Sequence, residues 1–195
     1  LQEIDFSHGK NFIVLHMRSP HLPYENRYKG REAEFEKFLP TKTSNRYEYM
    51  VNTYDNALLY TDFVVDKIID TFNEKSKGTA TSVYFAADHG QLFDYNGHWG
   101  HNDLVIEQGI TPFFVRKTNA GNLPKTMPHY EIGKLILGDL GVELVNPNEE
   151  ASVYYLHSNN IDYPYDYIKY KINSDGTAKE LFVGNTGTDA SKKRN

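Results

Sequence analysis

Between Ser82 and Ala87 the chain reads Ser-Val-Tyr-Phe-Ala-Ala, an apolar run with no polar alternation, and it drives straight into Asp88-His89-Gly90. A strand that is wet on one face alternates in polarity. An unbroken apolar run belongs to a strand covered on both faces, as in parallel sheets flanked by helices. An acid and an imidazole at the end of such a strand read as metal ligands, delivered where open parallel sheets hold their ligands. From spacing alone, an Asp-His pair that merely caps a loop fits equally well. Neighbours within a strand face opposite ways, so the two side chains converge only if the backbone turns, and Gly90 is expected to supply the freedom for that turn.

The rest of the chain supports a layered α/β arrangement. Asn11 to Met17, Asn-Phe-Ile-Val-Leu-His-Met, is a compact apolar run of strand length after Gly9. In the loop that follows, Pro20 and Pro23 exclude regular helix and hold His21 in extended backbone. From about Tyr47 to Phe72, apolar residues recur three or four apart and predict a long amphipathic helix, with Asp55, Asp62, Asp66 and Asp70 toward water. Thr111 to Arg116 is a further strand, and Tyr130 to Leu140 a further helix. These elements predict a mostly parallel sheet covered by helices on both faces. Tyr165 to Ile172 and Ala178 to Val183 flank Asn173-Ser-Asp-Gly176 and predict a C-terminal β-hairpin at a sheet edge. Residues 185–195 are expected to form a flexible tail.

With 195 residues the chain fits one domain, or a large part of one. A net charge of -5 gives no basic field for nucleic acid. The absence of cysteine removes disulfides and thiolate zinc sites from consideration. Two more histidines, His98 and His101, follow in Asn-Gly-His-Trp-Gly-His-Asn, where Gly97 and Gly100 let a loop bend closely around a small anion and Trp99 can wall a cleft. Set beside Asp88 and His89, they point to phosphate or metal binding. His21 is the third such candidate. His8, His16, His129 and His157 have no comparable setting and read as structural or surface residues.

The ordered set Ser-Pro-His-Leu-Pro-Tyr-Glu-Asn-Arg-Tyr, Val-Asn-Thr-Tyr-Asp-Asn-Ala-Leu-Leu-Tyr-Thr-Asp, Tyr-Phe-Ala-Ala-Asp-His-Gly and Asn-Gly-His-Trp-Gly-His-Asn resembles the periplasmic catalytic domain of bacterial phosphoethanolamine transferases. These are zinc enzymes of the alkaline phosphatase and sulfatase superfamily, and the resemblance runs from about Asn11 to Val115. It implies an alkaline phosphatase-like α/β/α sandwich and makes Asp88 and His89 ligands of a catalytic zinc. It also places His21 and His101 at the phosphoryl group or a second zinc, as catalytic and substrate-binding residues; His98, from the same glycine-punctuated segment as His101, is a further substrate-binding candidate. The implied reaction moves phosphoethanolamine from phosphatidylethanolamine to lipid A or a related surface acceptor, at the periplasmic face of the inner membrane.

Two residues depart from the family's pattern. The family has Ser-His-Gly-Pro where this chain has Ser-Pro-His-Leu-Pro, which shifts His21 by one residue. It has Glu after Asp-His-Gly where this chain has Gln91, a poorer cation ligand that argues against a strong second metal. The family's threonine nucleophile and another acidic ligand come before the histidine loop. The expectation is therefore that residues 1–184 form the C-terminal part of one catalytic domain, with the nucleophile and a membrane-spanning region preceding them. A sulfatase, phosphodiesterase or phosphoglycerol transferase of the same superfamily, or a noncatalytic binding module with a decayed site, are the alternatives.

Overall fold

The computed structural model describes residues 3–18, 20–38, 43–101, 105–118, 123, 125–145, 153–157, 167–173 and 177–184. The chain divides into two compact units, one of Leu1–Val83 with Phe93–Gly100, the other of Tyr84–Leu92 with His101–Asn195. The tail expected at 185–195, and the turn residues 174–176, lie outside the described residues.

The first unit is organised by a long helix. A one-turn helix α1, Glu32–Phe35, precedes α2, Arg46–Lys75. Asn45 caps α2: its side-chain oxygen accepts from the N–H groups of Tyr47 and Glu48 at 2.9 and 3.3 Å, satisfying donors that the first turn leaves orphaned. At the other end the Ser76 hydroxyl donates to the Phe72 carbonyl at 2.6 Å, and Gly78 takes the positive φ that carries the chain away.

The buried face of α2 is small and polar rather than apolar: Thr53, Asn56, Ala57 and Thr61. The two threonines satisfy themselves, Thr53 on the Tyr49 carbonyl and Thr61 on the Ala57 carbonyl, both at 2.8 Å. Small residues let the preceding segment approach closely. Tyr24, Tyr28 and Phe35 pack there with Met50, Tyr54, Tyr60, Phe63 and Phe93 around them. Tyr24 and Tyr28 flank or lie in a 3-10 turn, Tyr24–Arg27, which directly follows the proline loop.

Asn56 ties this layer together. Its oxygen accepts from the N–H groups of Lys37 and Phe38 at 2.8 and 3.0 Å, and its amide donates to the Phe38 carbonyl at 2.7 Å. Asn56→Ala is expected to cost about 1–3 kcal/mol, because three backbone groups lose their partner at once; a urea midpoint unchanged from wild type would show that this clasp holds nothing. Asp55 is half-buried rather than turned to water, and burial pushes its carboxyl up.

The run Asn11 to Met17 is not a strand. Residues 11–18 pair with no neighbour among the described residues, and Phe12, Val14 and Leu15 are exposed. Apolar composition supplies a face for a strand, but only a partner's ladder of hydrogen bonds makes one.

In the second unit, β1, Ser82–Ala86, of which all but the first two residues belong here, pairs with β4, Phe113–Lys117. Phe85 and Phe114 stack across that pair with centroids 5.0 Å apart. Helix α4, His129–Asp139, ties to the pair through Asp139, which accepts from the Tyr84 hydroxyl and from the Lys117 ammonium, the latter at 2.8 Å. The bond to Asp139 holds the Lys117 ammonium above the usual lysine range.

Near the C-terminus three strands, β5 Val153–His157, β6 Tyr167–Ile172 and β7 Ala178–Gly184, form an antiparallel sheet in that order. Leu156 sits opposite Ile168, and Ile168 opposite Val183, which places their side chains on one face. That face packs against Ile106 of the one-turn helix α3, Ile106–Gly109. Strand β5 was not part of the expected hairpin, although Val-Tyr-Tyr-Leu has a strand's composition.

Candidate active site

Asp88 and His89 lie directly beyond β1, where the chain leaves the sheet. Both turn the same way. The His89 N–H donates to Asp88 Oδ1 at 3.0 Å, and His89 Nε2 lies 3.8 Å from Asp88 Oδ2. His89 Nδ1 is 2.9 Å from the Gly90 carbonyl oxygen, which can accept only if Nδ1 carries the proton. That bond fixes the tautomer and leaves the Nε2 lone pair toward the carboxylate, the arrangement metal-ligating histidines share.

Gly90 serves this turn by its size rather than its torsion. It is not among the glycines of positive φ. Its N–H donates to the Gln108 carbonyl at 2.7 Å, and a Cβ at this position would stand 2.7 Å from the Glu107 carbonyl oxygen and 3.1 Å from Gln108 Cα. The turn after β1 is thus pressed against the backbone of α3. Behind α3 stands β5, whose Leu156 comes within 3.2 Å of the position a Cβ on Gly109 would take. The C-terminal sheet therefore supports the Asp88–Gly90 turn through a single helical turn.

His101 stands in the same unit, with its ring centroid 4.2 Å from that of His89 and the planes tilted by 32°. Asp88, His89 and His101 are together. The other two candidates, His21 and His98, belong to the first unit. There His21 Nδ1 lies 2.8 Å from the Leu22 carbonyl oxygen, and Arg27 pins the loop by donating to the His21 carbonyl at 2.7 Å.

The expected anion-cradling loop around His98 is a hairpin. Strand β2, Leu92–Tyr95, pairs with β3, His98–Gly100, through Asn96-Gly97, both at positive φ of 51° and 84°. Asn-Gly is the favoured pair for a two-residue hairpin turn with two positive φ angles, and it could have been read as such. His98 is exposed on β3. Trp99, on the opposite face of the strand, packs edge-on against Tyr47 and lies under the Arg46 guanidinium, 5.0 Å from its centroid. It braces the hairpin on α2 within the first unit.

The pair Asp88 and His89 fits a zinc ion in kind and in spacing. Two ligand atoms 3.8 Å apart approach the edge of a tetrahedron whose corners lie about 2.1 Å from the metal. The Asp88 side chain is 84% exposed and His89 38%, so neither carboxylate nor imidazole is closed off by protein. Among the described residues, no three His, Asp or Glu side chains are gathered as a set able to hold a metal. The pair offers two donors of the kinds zinc accepts, where a zinc shell takes four. No helix among the described residues is long and apolar enough to cross a membrane.

Comparison with known proteins gives these residues a context. Residues 1–123 match the sulfatase family model. The chain is 40% identical to phosphoethanolamine transferase EptA of Escherichia coli strain K12 over 99 residues, 48% of this chain and 18% of that protein. It is 30% identical to Kdo(2)-lipid A phosphoethanolamine 7''-transferase of the same strain over 91 residues, 46% of this chain and 16% of that protein. With phosphatidylethanolamine transferase Mcr-1 of Escherichia coli it shares 31% identity over 102 residues, 49% of this chain and 18% of that protein. The chain thus spans less than a fifth of the length of these relatives. No solved structure matches it.

Proposed function

The chain belongs to the sulfatase family, and on that premise we propose that the protein containing it transfers phosphoethanolamine from phosphatidylethanolamine to lipid A or a related acceptor. The observation that carries this reading is the turn after β1. Asp88 Oδ2 and His89 Nε2 face each other at 3.8 Å with the His89 tautomer fixed, and the His101 ring stands beside them. The similarity to transferases named for phosphoethanolamine supplies the substrate.

In this reading residues 1–184 are the C-terminal part of an α/β/α catalytic domain built on a mostly parallel sheet, at the periplasmic face of the inner membrane. Asp88 and His89 hold zinc, with the remaining ligands and the threonine nucleophile outside the chain. A zinc ion held there lends positive charge to phosphoryl oxygens and lowers the pKa of a hydroxyl nucleophile. The threonine oxygen forms a bond to phosphorus as the bond from phosphorus to the diacylglycerol oxygen breaks, and that oxygen takes up a proton. An acceptor oxygen then displaces the threonine, which regains its proton.

His101, beside His89, is placed to donate to a nonbridging oxygen or to protonate the departing alcohol. His21 is assigned to substrate binding by the resemblance, and His98 by its place near His101 in the glycine-punctuated segment. Transfer of a compact phosphoryl group asks for charge and donors around its oxygens more than for elaborate side-chain chemistry. Imidazoles and one carboxylate meet that demand.

Metal content and intact mass of the full-length protein test the proposal together. The expected result is about one zinc per molecule and, after exposure to phosphatidylethanolamine, a phosphoethanolamine increment on a threonine. Neither zinc nor adduct would leave a noncatalytic binding module.

A further inference from the structure

We propose that His129 is a positioning residue for the Asp88 and His89 pair, an inference that rests on the metal role proposed for that pair. His129 opens α4, far from the pair in sequence. Its Nε2 lies 2.8 Å from the carbonyl oxygen of Ala87, the residue directly before Asp88, and 3.2 Å from Thr111 Oγ1. Because the Ala87 carbonyl can only accept, Nε2 carries the proton, and Thr111 Oγ1 is a second, longer acceptor.

The other polar group of Ala87 is also held, its N–H donating to the Pro112 carbonyl at 3.2 Å. The Ala87 carbonyl shares one planar peptide unit with the Asp88 nitrogen. Fixing that oxygen fixes the plane from which the Asp88 side chain departs. On the far side of the pair, Gly90 is held by Gln108 at 2.7 Å. The two ligands are therefore clamped from both sides, by α4 before them and by α3 after them.

A clamp of this kind acts on a metal site without touching the metal. The carboxylate of Asp88 is 84% exposed, and the bond that holds it comes from backbone, the His89 N–H donating to Oδ1 at 3.0 Å. Loss of an outer hydrogen bond that orients a ligand typically weakens metal affinity about 10- to 100-fold.

The test compares His129→Leu, His129→Asn, His129→Gln and Asp88→Ala in the full-length protein. Zinc affinity is measured by competition with a chromogenic chelator, and the visible spectrum of the cobalt-substituted protein reports ligand geometry. Glutamine reaches as far as Nε2 and donates from there; asparagine is polar but too short, and leucine has no donor. The expected result is a loss of zinc affinity of about 10- to 100-fold in His129→Leu and His129→Asn, with a shifted cobalt spectrum, and recovery of both in His129→Gln. Should leucine fail to fold, asparagine against glutamine decides. Wild-type affinity and spectrum in His129→Asn, while Asp88→Ala has lost zinc, overturns the positioning role and leaves the metal site standing. Zinc retained by Asp88→Ala overturns the metal site itself, and the positioning role with it.

Discussion

Replacing His89 with alanine in the full-length protein is expected to remove its zinc and to lower phosphoethanolamine transfer about a hundredfold or more, the scale on which the loss of one preorganised electrostatic group slows a reaction. Stability should change little. His89 is 38% exposed, and its side chain meets the Gly90 carbonyl, the Asp88 carboxylate and the His101 ring. The buried cluster of the second unit among the described residues is built from Ile168 and Tyr170 with Ile106, Tyr154, Leu156 and Val183. A loss of activity without a loss of fold is what separates a ligand from a structural residue, so thermal midpoints and bound zinc are measured on the same preparations. Asp88→Ala should behave alike. His8→Ala, at an 86% exposed imidazole in the other unit, should do neither. Stoichiometric zinc and wild-type transfer in His89→Ala would remove the pair from the chemistry.

The long helix and the Asp-His turn were legible because each depends on short-range pattern. Apolar spacing between Tyr47 and Phe72 gives α2 to within a few residues at each end, Asn45 and Ser76 setting the ends through their own side chains. The apolar run into Asp88 gives β1 and places Asp88 and His89 just beyond its end. What was not legible depends on partners far along the chain. Asn11 to Met17 has the composition of a strand, and composition says nothing about whether a neighbour is there to pair with it. The small polar face of α2 breaks the usual expectation of an apolar stripe, since Asn56 is buried in order to clasp backbone at Lys37 and Phe38. No local signal marks His129; its contact with Ala87 spans 42 positions, and only the fold brings the two together. The segment around His98 is a β2–β3 hairpin rather than an open loop because Asn96-Gly97 makes a two-residue turn, a signal that a glycine alone does not separate from a bend around an anion.

Gly90→Ala is the substitution expected to damage both the fold and the site. A Cβ there would meet the Glu107 carbonyl oxygen at 2.7 Å and Gln108 Cα at 3.1 Å, backbone atoms that cannot swing aside as the end of a flexible side chain can. Either α3 or the turn must move. Moving α3 breaks its packing, since Ile106 lies against the C-terminal sheet and Gly109 against Leu156. Moving the turn breaks the Gly90 to Gln108 hydrogen bond and displaces the carbonyl that fixes His89 Nδ1. Forcing a methyl into a filled space costs about 1–3 kcal/mol, and the lost backbone bond adds about 1 kcal/mol more. The thermal midpoint should fall, and zinc affinity should fall with it, because one displacement causes both. Gly133→Ala is the matching control. It lies inside α4 with nothing within 4 Å of the added carbon, so relief of glycine's backbone entropy should stabilise the helix by up to about 1 kcal/mol. If Gly90→Ala matched Gly133→Ala in stability and in zinc affinity matched wild type, the close approach of α3 to the Asp88–Gly90 turn would not be what demands glycine there.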